Sequence, residues 1–197
     1  MDNYVYFLGN KIYLNLTNRC SNGCTFCIRN GRQGMNGSPL WIKKEPSAED
    51  VIAQLPPNLS DYDNEVVFCG FGEPTYNLSA LEETAEFLHC ADKKTRINTN
   101  GQANLIHGRD VTDVVVDSCD VINVSLNQCS AKKYDEVCRS VYGEKAFDAL
   151  LEFASLCKAK GGNVVFSVVD VIGGEDVQKC RRIAEDVGIP LRVRVKE

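Results

Sequence analysis

The sequence predicts an α/β fold with a parallel central sheet, and three observations carry this prediction. Strand-like and helix-like segments alternate from residue 12 to residue 195, a pattern typical of parallel strands joined by right-handed crossovers. The length of 197 residues suits one domain, over residues 1–197. Six core strands fall short of the eight that close a TIM barrel. We therefore expect a partial TIM barrel, (β/α)6, preceded by a β-hairpin.

The composition sets limits on compartment and partners. Hydrophobic residues make up 44% and charged residues 25% of the chain, a balance typical of soluble globular proteins. The net charge of −5 argues against a broad nucleic-acid-binding surface. No stretch has the length of a membrane span, and the N-terminus lacks the pattern of a signal peptide. We expect a cytoplasmic protein with reduced cysteines and no membrane or nucleic-acid partner.

The chain begins with the predicted hairpin. Residues 4–8 and 12–17 have strand patterns and are joined by a Gly-Asn pair that favours a turn. The second strand leads directly into a cysteine-rich loop. Residues 28–46 then form a long, glycine-rich, basic loop that carries Trp41. Long loops in compact domains are usually functional or mobile.

The later elements follow in regular order. Ser47 is a candidate N-cap for the first helix, with Asp50 three residues further on. Residues 104–118 are ambiguous, because β-branched valines stand where the alternation requires a short helix. The predicted strands cover residues 65–69, 95–99, 121–126, 164–169 and 191–195, and the predicted helices cover residues 48–55, 79–90, 130–139, 144–160 and 175–187.

Residues 20–27, CSNGCTFC, place three thiols in the spacing C-x3-C-x2-C. Thiolates select zinc, copper(I) or iron–sulfur clusters over hard cations. A structural zinc site would close with a fourth ligand nearby, but the next cysteine is Cys69 and the only histidines are His89 and His107. A ferredoxin-type cluster also needs a fourth cysteine. Three ligands would leave one iron of a four-iron cluster open; chance clustering among ten cysteines is the alternative.

Polar motifs follow the next strands, at the edge where the carboxyl ends of parallel strands meet. Residues 70–74, GFGEP, contain glycines that permit close backbone approach and a carboxylate that can accept hydrogen bonds from an ammonium group. Residues 98–101, NTNG, close the following strand, and residues 125–127, SLN, end the one after it. A strand-to-helix turn would explain the glycines and Pro74 of the first motif but not Glu73, and a simple turn after a strand fits NTNG about as well.

This combination resembles the radical SAM superfamily. The cysteine spacing, with an aromatic residue before the last cysteine, is similar to the signature of that superfamily. Residues 70–74 resemble its glycine-and-glutamate motif, which binds the methionine amine, and NTNG resembles the Thr-Asn-Gly found at this point in many members. The runs at residues 13–20 and 27–30 are most similar to the small TatD-nuclease-associated radical SAM proteins.

The resemblance implies a [4Fe–4S] cluster held by Cys20, Cys24 and Cys27, with S-adenosylmethionine on the open iron. It also implies reductive cleavage of that cofactor to a 5′-deoxyadenosyl radical, hydrogen abstraction from a substrate, and an external one-electron donor of the flavodoxin or ferredoxin type. No catalytic side chain is assigned. The cofactor-binding residues that it implies, of which Phe26 also fits a core aromatic, are Phe26, Gly70, Phe71, Gly72, Glu73, Asn98, Asn100, Ser125 and Asn127.

Candidate substrate-binding residues lie outside these motifs. Arg192 and Arg194 share one face of the last strand, where guanidinium groups can clamp a carboxylate or phosphate, although solvated arginines on an edge strand fit equally well. Trp41 in the basic loop is a third candidate. The sequence leaves a small-molecule substrate and a partner protein both open. A non-catalytic metal-binding or redox-sensing module would explain the three cysteines, but not the strand-end motifs.

Overall fold

The computed structural model describes residues 2–195 of the chain. The strands are β1 (Val5–Leu8), β2 (Lys11–Leu14), β3 (Gly34–Met35), β4 (Ser38–Pro39), β5 (Glu65–Phe68), β6 (Lys94–Thr99), β7 (Val121–Ser125), β8 (Val164–Val169) and β9 (Leu191–Arg194). The helices are α1 (Ala48–Ile52), α2 (Leu78–Cys90), α3 (Ala103–His107), α4 (Thr112–Ser118), α5 (Ala131–Cys138), α6 (Lys145–Ala159) and α7 (Gly174–Val187). Short 3-10 helices cover Leu59–Asp61, Pro74–Asn77 and Asp170–Ile172.

Seven strands form one sheet in the order β1-β2-β5-β6-β7-β8-β9. β1 and β2 pair antiparallel as the N-terminal hairpin, and every later neighbouring pair is parallel. The predicted α/β fold, with six parallel core strands, is therefore confirmed. The sheet is not closed, which agrees with a partial TIM barrel. The carboxyl ends of all six core strands consequently lie at one edge.

The strands separate an apolar face from a polar one. On β7, Ile122 and Val124 are fully buried in the same hydrophobic cluster as Phe153 of α6. The alternate positions, Asn123 and Ser125, line an interior cavity instead. Because side chains alternate along a strand, each core strand can pack on helices and still present polar groups to the cavity.

Helix boundaries follow local chemistry. Ser47 caps α1 as predicted: the Asp50 amide donates to Ser47 Oγ at 3.2 Å, and the Ser47 amide donates to Asp50 Oδ2 at 3.1 Å. The ambiguous residues 104–118 lie in α3 and α4, which are separated at Gly108, a residue with a φ of +63°. Helix α4 tolerates its valines because Val115 is fully buried in the core, and this packing outweighs weak helix propensity.

The basic loop contains secondary structure that the sequence pattern did not predict. It is the β3–β4 hairpin, whose turn is the Asn36-Gly37 pair with φ values of +48° and +81°. An Asn-Gly pair is a strong hairpin signal, because both central residues of such turns need positive φ.

Within residues 2–195, none of the helices has both the length and the apolarity needed to cross a lipid bilayer.

We expect the apolar face to dominate stability. Phe153 is fully buried on α6, so Phe153→Ala should lower the free energy of unfolding by about 3–5 kcal/mol. Phe87 on α2 is 40% exposed, and Phe87→Ala should cost about 1 kcal/mol or less. Urea unfolding of both variants measures the two values. Equal losses would contradict the assignment of Phe153 to the core.

Candidate active site

A cavity of about 910 Å³ lies among the strand ends, near the upper end of the roughly 300–1,000 Å³ range of small-molecule pockets. It draws side chains from the hairpin, from the core strands and from the cysteine loop at residues 20–27. The predicted site residues that line it are Cys20, Cys24, Phe26, Cys27, Gly70, Glu73, Asn98, Asn100, Ser125, Asn127, Arg192 and Arg194.

Three predicted residues lie outside that lining. Phe71 is 2% exposed and packs in a small cluster with Tyr6 and Leu40. Trp41 packs edge-on against Phe71, with ring centroids 5.2 Å apart, and its Nε1 donates to the Arg32 carbonyl. Gly72 lies in the loop beneath the cysteines. These residues shape the site from behind.

The cysteine loop is fixed by backbone hydrogen bonds to the end of α5. The Gly23 amide donates to the Cys138 carbonyl at 2.9 Å, and the Thr25 amide donates to the Val137 carbonyl at 2.9 Å. The last carbonyls of a helix lack partners within it. The cysteine loop supplies those partners, so the position of α5 and the path of the loop depend on each other.

A buried polar network anchors the same loop from inside. Asn22 Nδ2 donates to the Tyr134 hydroxyl at 2.9 Å, and Gln102 Nε2 donates to Asn22 Oδ1 at 2.9 Å. Asn100 Nδ2 donates to Ser21 Oγ at 2.8 Å. Buried polar groups with satisfied partners rigidify a site. Asn100 therefore positions the cysteine loop as well as facing the cavity.

Arg29, two residues after the last of the three cysteines, ties this loop to its surroundings. Its guanidinium donates to the carbonyls of Asn18 at 3.2 Å, Phe71 at 3.1 Å and Asn22 at 3.4 Å. The planar fork of arginine allows one side chain to bridge several carbonyls. Arg29 thus connects the segments before, within and beneath the cysteine loop.

The glycines at 70 and 72 are required by protein packing. A Cβ on Gly70 would lie 2.0 Å from Asn15 Oδ1, and a Cβ on Gly72 would lie 2.3 Å from the Thr17 carbonyl oxygen. The Glu73 amide also donates to the Arg19 carbonyl at 2.8 Å. These contacts require the close approach that we expected of the glycines; it brings this loop against the segment that leads into the cysteines.

Glu73 is 3% exposed and joins the ends of two strands. Its Oε1 accepts from Thr99 Oγ1 at 2.7 Å, Thr75 Oγ1 at 2.9 Å and the Thr75 amide at 3.3 Å, and its Oε2 accepts from the Asn100 amide at 2.7 Å. Burial raises the pKa of Glu73, while these donors act in the opposite direction. A carboxylate oxygen has about two acceptor positions, so Oε2 retains one toward the cavity.

The three cysteines face one cavity but are held apart. Burial, followed by the charge of Glu73, raises the pKa of Cys20 to about 12, and burial raises the pKa of Cys27. The neighbouring Cys138 thiol and burial both raise the pKa of Cys24. These shifts favour the protonated form of all three thiols. Within residues 2–195, no group of three Cys, His, Asp or Glu side chains is arranged to hold a metal ion.

The donor chemistry nevertheless fits an iron–sulfur cluster. Three thiols on one loop line a single cavity, and thiolate is the ligand that such clusters require. The Asn98 Oδ1 and Asn127 Oδ1 atoms are buried without a hydrogen-bond partner in the described residues. Asn127 also has a φ of +57°, in the left-handed region. Unpartnered acceptors on the same cavity are the arrangement expected of a ligand site.

Several residues of this site were missed by sequence reasoning. Most act from a distance in the chain and carry no local signal, whereas two had usable signals. Arg96 shares the cavity face of β6 with Asn98 through the two-residue period of a strand, and Arg29 follows the cysteines closely. The residues that the structure adds are Asn15, Asn22, Arg29, Arg96, Gln102, Tyr134 and Cys138.

Comparison with known proteins supplies independent findings. The family model of the radical SAM superfamily matches residues 14–187. No curated protein matches the chain. Similar solved structures include SuiB from Streptococcus suis bound to S-adenosylmethionine (TM-score 0.74, 16% identity, 95% of this chain and 41% of that one). They also include TYW1 with a lysine-pyruvate adduct bound (0.67, 15%, 95% and 65%).

A radical SAM methyltransferase from Sphaerobacter thermophilus is similar as well, with a TM-score of 0.66, 14% identity, and coverage of 97% of this chain and 68% of that one. At such identities the likeness concerns the fold alone. The chain spans 65% of TYW1 and 41% of SuiB.

The hydrogen bonds of Glu73 make a testable contribution to stability. Glu73→Gln replaces one acceptor oxygen by a donor and leaves buried donors without a partner, so the free energy of unfolding should fall by about 1–3 kcal/mol. Glu86→Gln makes the same change on an exposed position of α2 and should have almost no effect. Urea unfolding at neutral pH compares them. A Glu73→Gln variant as stable as Glu86→Gln would contradict the joining role of Glu73.

Proposed function

The chain belongs to the radical SAM superfamily of enzymes, and on that premise we propose that it cleaves S-adenosylmethionine reductively on a [4Fe–4S] cluster to generate a 5′-deoxyadenosyl radical for hydrogen abstraction. The observation that carries this proposal is the convergence of Cys20, Cys24 and Cys27 on the cavity that Glu73 and the strand-end amides also line. Three thiols alone would suit several metals. Their combination with these cofactor-binding positions favours this chemistry.

In this proposal Cys20, Cys24 and Cys27 ligate the cluster. Because ligating cysteines must be thiolates, the raised pKa values of these thiols mean that cluster assembly releases protons. The hydrogen bonds from the cysteine loop to α5 and the network around Asn22 hold the backbone of the loop in place during assembly.

We assign the cofactor contacts to the residues that face the cavity. The remaining acceptor position of Glu73 Oε2 and the backbone at Gly70 suit an ammonium group, since both lie beside the cysteine loop. Ser125 and the unpartnered Asn127 Oδ1 suit ribose hydroxyls or a carboxylate, and Phe26 offers an apolar face for the adenine. Asn98 and Asn100 would orient the cofactor or the substrate. Phe71 and Gly72, which do not line the cavity, would support the loop at residues 70–73.

The finer assignments are also part of the proposal. The runs around the cysteines and the glycine motif support membership in the small TatD-nuclease-associated group. An external flavodoxin or ferredoxin-type donor would supply the electron. All ten cysteines are free thiols, which fits a reducing, cytoplasmic compartment. One sheet with strands from β1 to β9 supports a single domain over the described residues.

The test is anaerobic reconstitution with iron and sulfide, followed by reduction with dithionite in the presence of S-adenosylmethionine. The parent protein should hold a [4Fe–4S] cluster and release 5′-deoxyadenosine. Cys20→Ala, Cys24→Ala and Cys27→Ala should each lose the cluster and reduce release to background, because three thiolates are the ligand set. Cys90→Ala, on the exposed face of α2, is the matched control and should behave as the parent does.

Two outcomes would decide against the proposal. A colourless, zinc-loaded protein that does not bind S-adenosylmethionine would favour the non-catalytic metal-binding or redox-sensing module. A cluster that survives all three substitutions would show that other residues ligate it. Iron, sulfide and zinc contents are read independently of product formation, so loss of the cluster and loss of turnover are distinguished.

A further inference from the structure

The cavity is more positive than the protein around it. Its charged lining consists of four basic and two acidic side chains, in a chain whose net charge is −5. Glu73, one of the two acids, is engaged by neutral donors of the protein. The positive charge therefore exceeds what the protein itself neutralises. The six charged lining residues are Lys11, Glu65, Glu73, Arg96, Arg192 and Arg194.

Two arginines of this lining have a buried Nε atom without a hydrogen-bond partner in the described residues. Arg96 Nε is 3.1 Å from Glu65 Oε1, in an ion pair that does not meet hydrogen-bond geometry. Arg194 Nε is buried and has no hydrogen-bond partner among residues 2–195. A buried donor without a partner costs about 1–3 kcal/mol. A ligand acceptor would recover that cost.

The surroundings of Cys69 place both guanidiniums near the end of β5. Burial raises the pKa of Cys69, and the charges of Arg194 and Arg96 both oppose that rise. Such interactions between charges require proximity. Asn98, whose Oδ1 lacks a partner, also interacts with Cys69. Arg96 and Asn98 alternate on the cavity face of β6, and Arg194 lines the same cavity from β9.

Arg194 enters the cavity from a strand that carries no assigned cofactor contact. β9, which carries Arg194, forms the opposite edge of the sheet from the β1–β2 hairpin, and Arg194 pairs with Val169 at the end of β8. Arg96 lies on β6, between the strands β5 and β7 that lead to the assigned cofactor contacts. An anion held by both arginines would therefore lie beside the cofactor.

We propose that Arg194 and Arg96 bind an anionic group, a carboxylate or a phosphate, of a small-molecule substrate, with Asn98 Oδ1 accepting from a neighbouring hydroxyl or amine. Arginine suits such groups because its fork donates two parallel hydrogen bonds. Arg96 retains donors beyond its ion pair, since the guanidinium carries five. The cavity volume of about 910 Å³ favours a small molecule over the surface of a partner protein. This inference rests on the proposed function and adds the substrate class to it.

The experiment uses the cluster-loaded protein with saturating S-adenosylmethionine and two probes, inorganic phosphate and succinate, at constant ionic strength. Isothermal titration measures the dissociation constants. Arg194→Gln should weaken the bound probe roughly tenfold or more, the range of a charge-assisted hydrogen bond. Arg194→Lys keeps the charge without the fork and should show a smaller loss. Arg182→Gln, on the exposed surface of α7, changes the net charge equally and should bind as the parent does.

The outcomes are separable. Binding of phosphate alone, or of succinate alone, with the expected loss in Arg194→Gln, supports the site and identifies the anion. Absence of binding to the parent, or equal loss in Arg182→Gln, overturns it. A parallel loss of affinity for S-adenosylmethionine in Arg194→Gln would show that Arg194 holds the cofactor carboxylate, and would overturn it too. A protein that binds phosphate through Arg194 but releases no 5′-deoxyadenosine would contradict the proposed function alone.

Discussion

The cavity depends on the packing of residues 17–19, which lead into the cysteine loop, against the loop at residues 70–73. Gly72 leaves no room for a Cβ, since the Thr17 carbonyl oxygen lies 2.3 Å from where that atom would be. The Glu73 amide donates to the Arg19 carbonyl, so both loops share one path. Because the interior of a protein is densely packed, displacing either loop displaces the other. The cysteines, the glutamate and the strand ends therefore keep a fixed relation even without a bound cofactor.

Buried hydrogen bonds extend this constraint across the sheet. Glu73 accepts from the end of β6 and from Thr75 in the 3-10 helix that follows it, and Asn100 continues the chain of contacts to Ser21. Tyr134 then connects Asn22 to α5. A fully partnered buried network specifies one arrangement, whereas a partly partnered one is costly. The residues whose buried polar groups all have hydrogen-bond partners are therefore the rigid part of the site.

The sequence predicted the fold well, because alternating strands and helices are local patterns. The strand ends agree within one to three residues, and the cavity residues follow from the rule that parallel strands end at one edge. The Tyr134–Asn22 contact spans 112 residues, so no local pattern reveals it. Gly70 and Gly72 were expected to permit close approach, but the sequence did not indicate that the neighbours would be the Asn15 side chain and the Thr17 carbonyl. Sequence patterns predict which segments meet at the cavity, but not which neighbouring atoms require a given residue to be glycine.

The polar atoms that lack hydrogen-bond partners belong to different parts of the cavity lining. Asn127 Oδ1 lies just after β7, among the residues assigned to the cofactor, while Asn98 Oδ1 is on β6 and Arg194 Nε is on β9. Each unpartnered group lowers stability in the free protein, and a ligand that binds only the folded state returns that stability. Two such regions in one cavity imply two ligands with different polar groups. In the proposed function, S-adenosylmethionine is one of these ligands, and the other is the anionic substrate that Arg194 and Arg96 would bind.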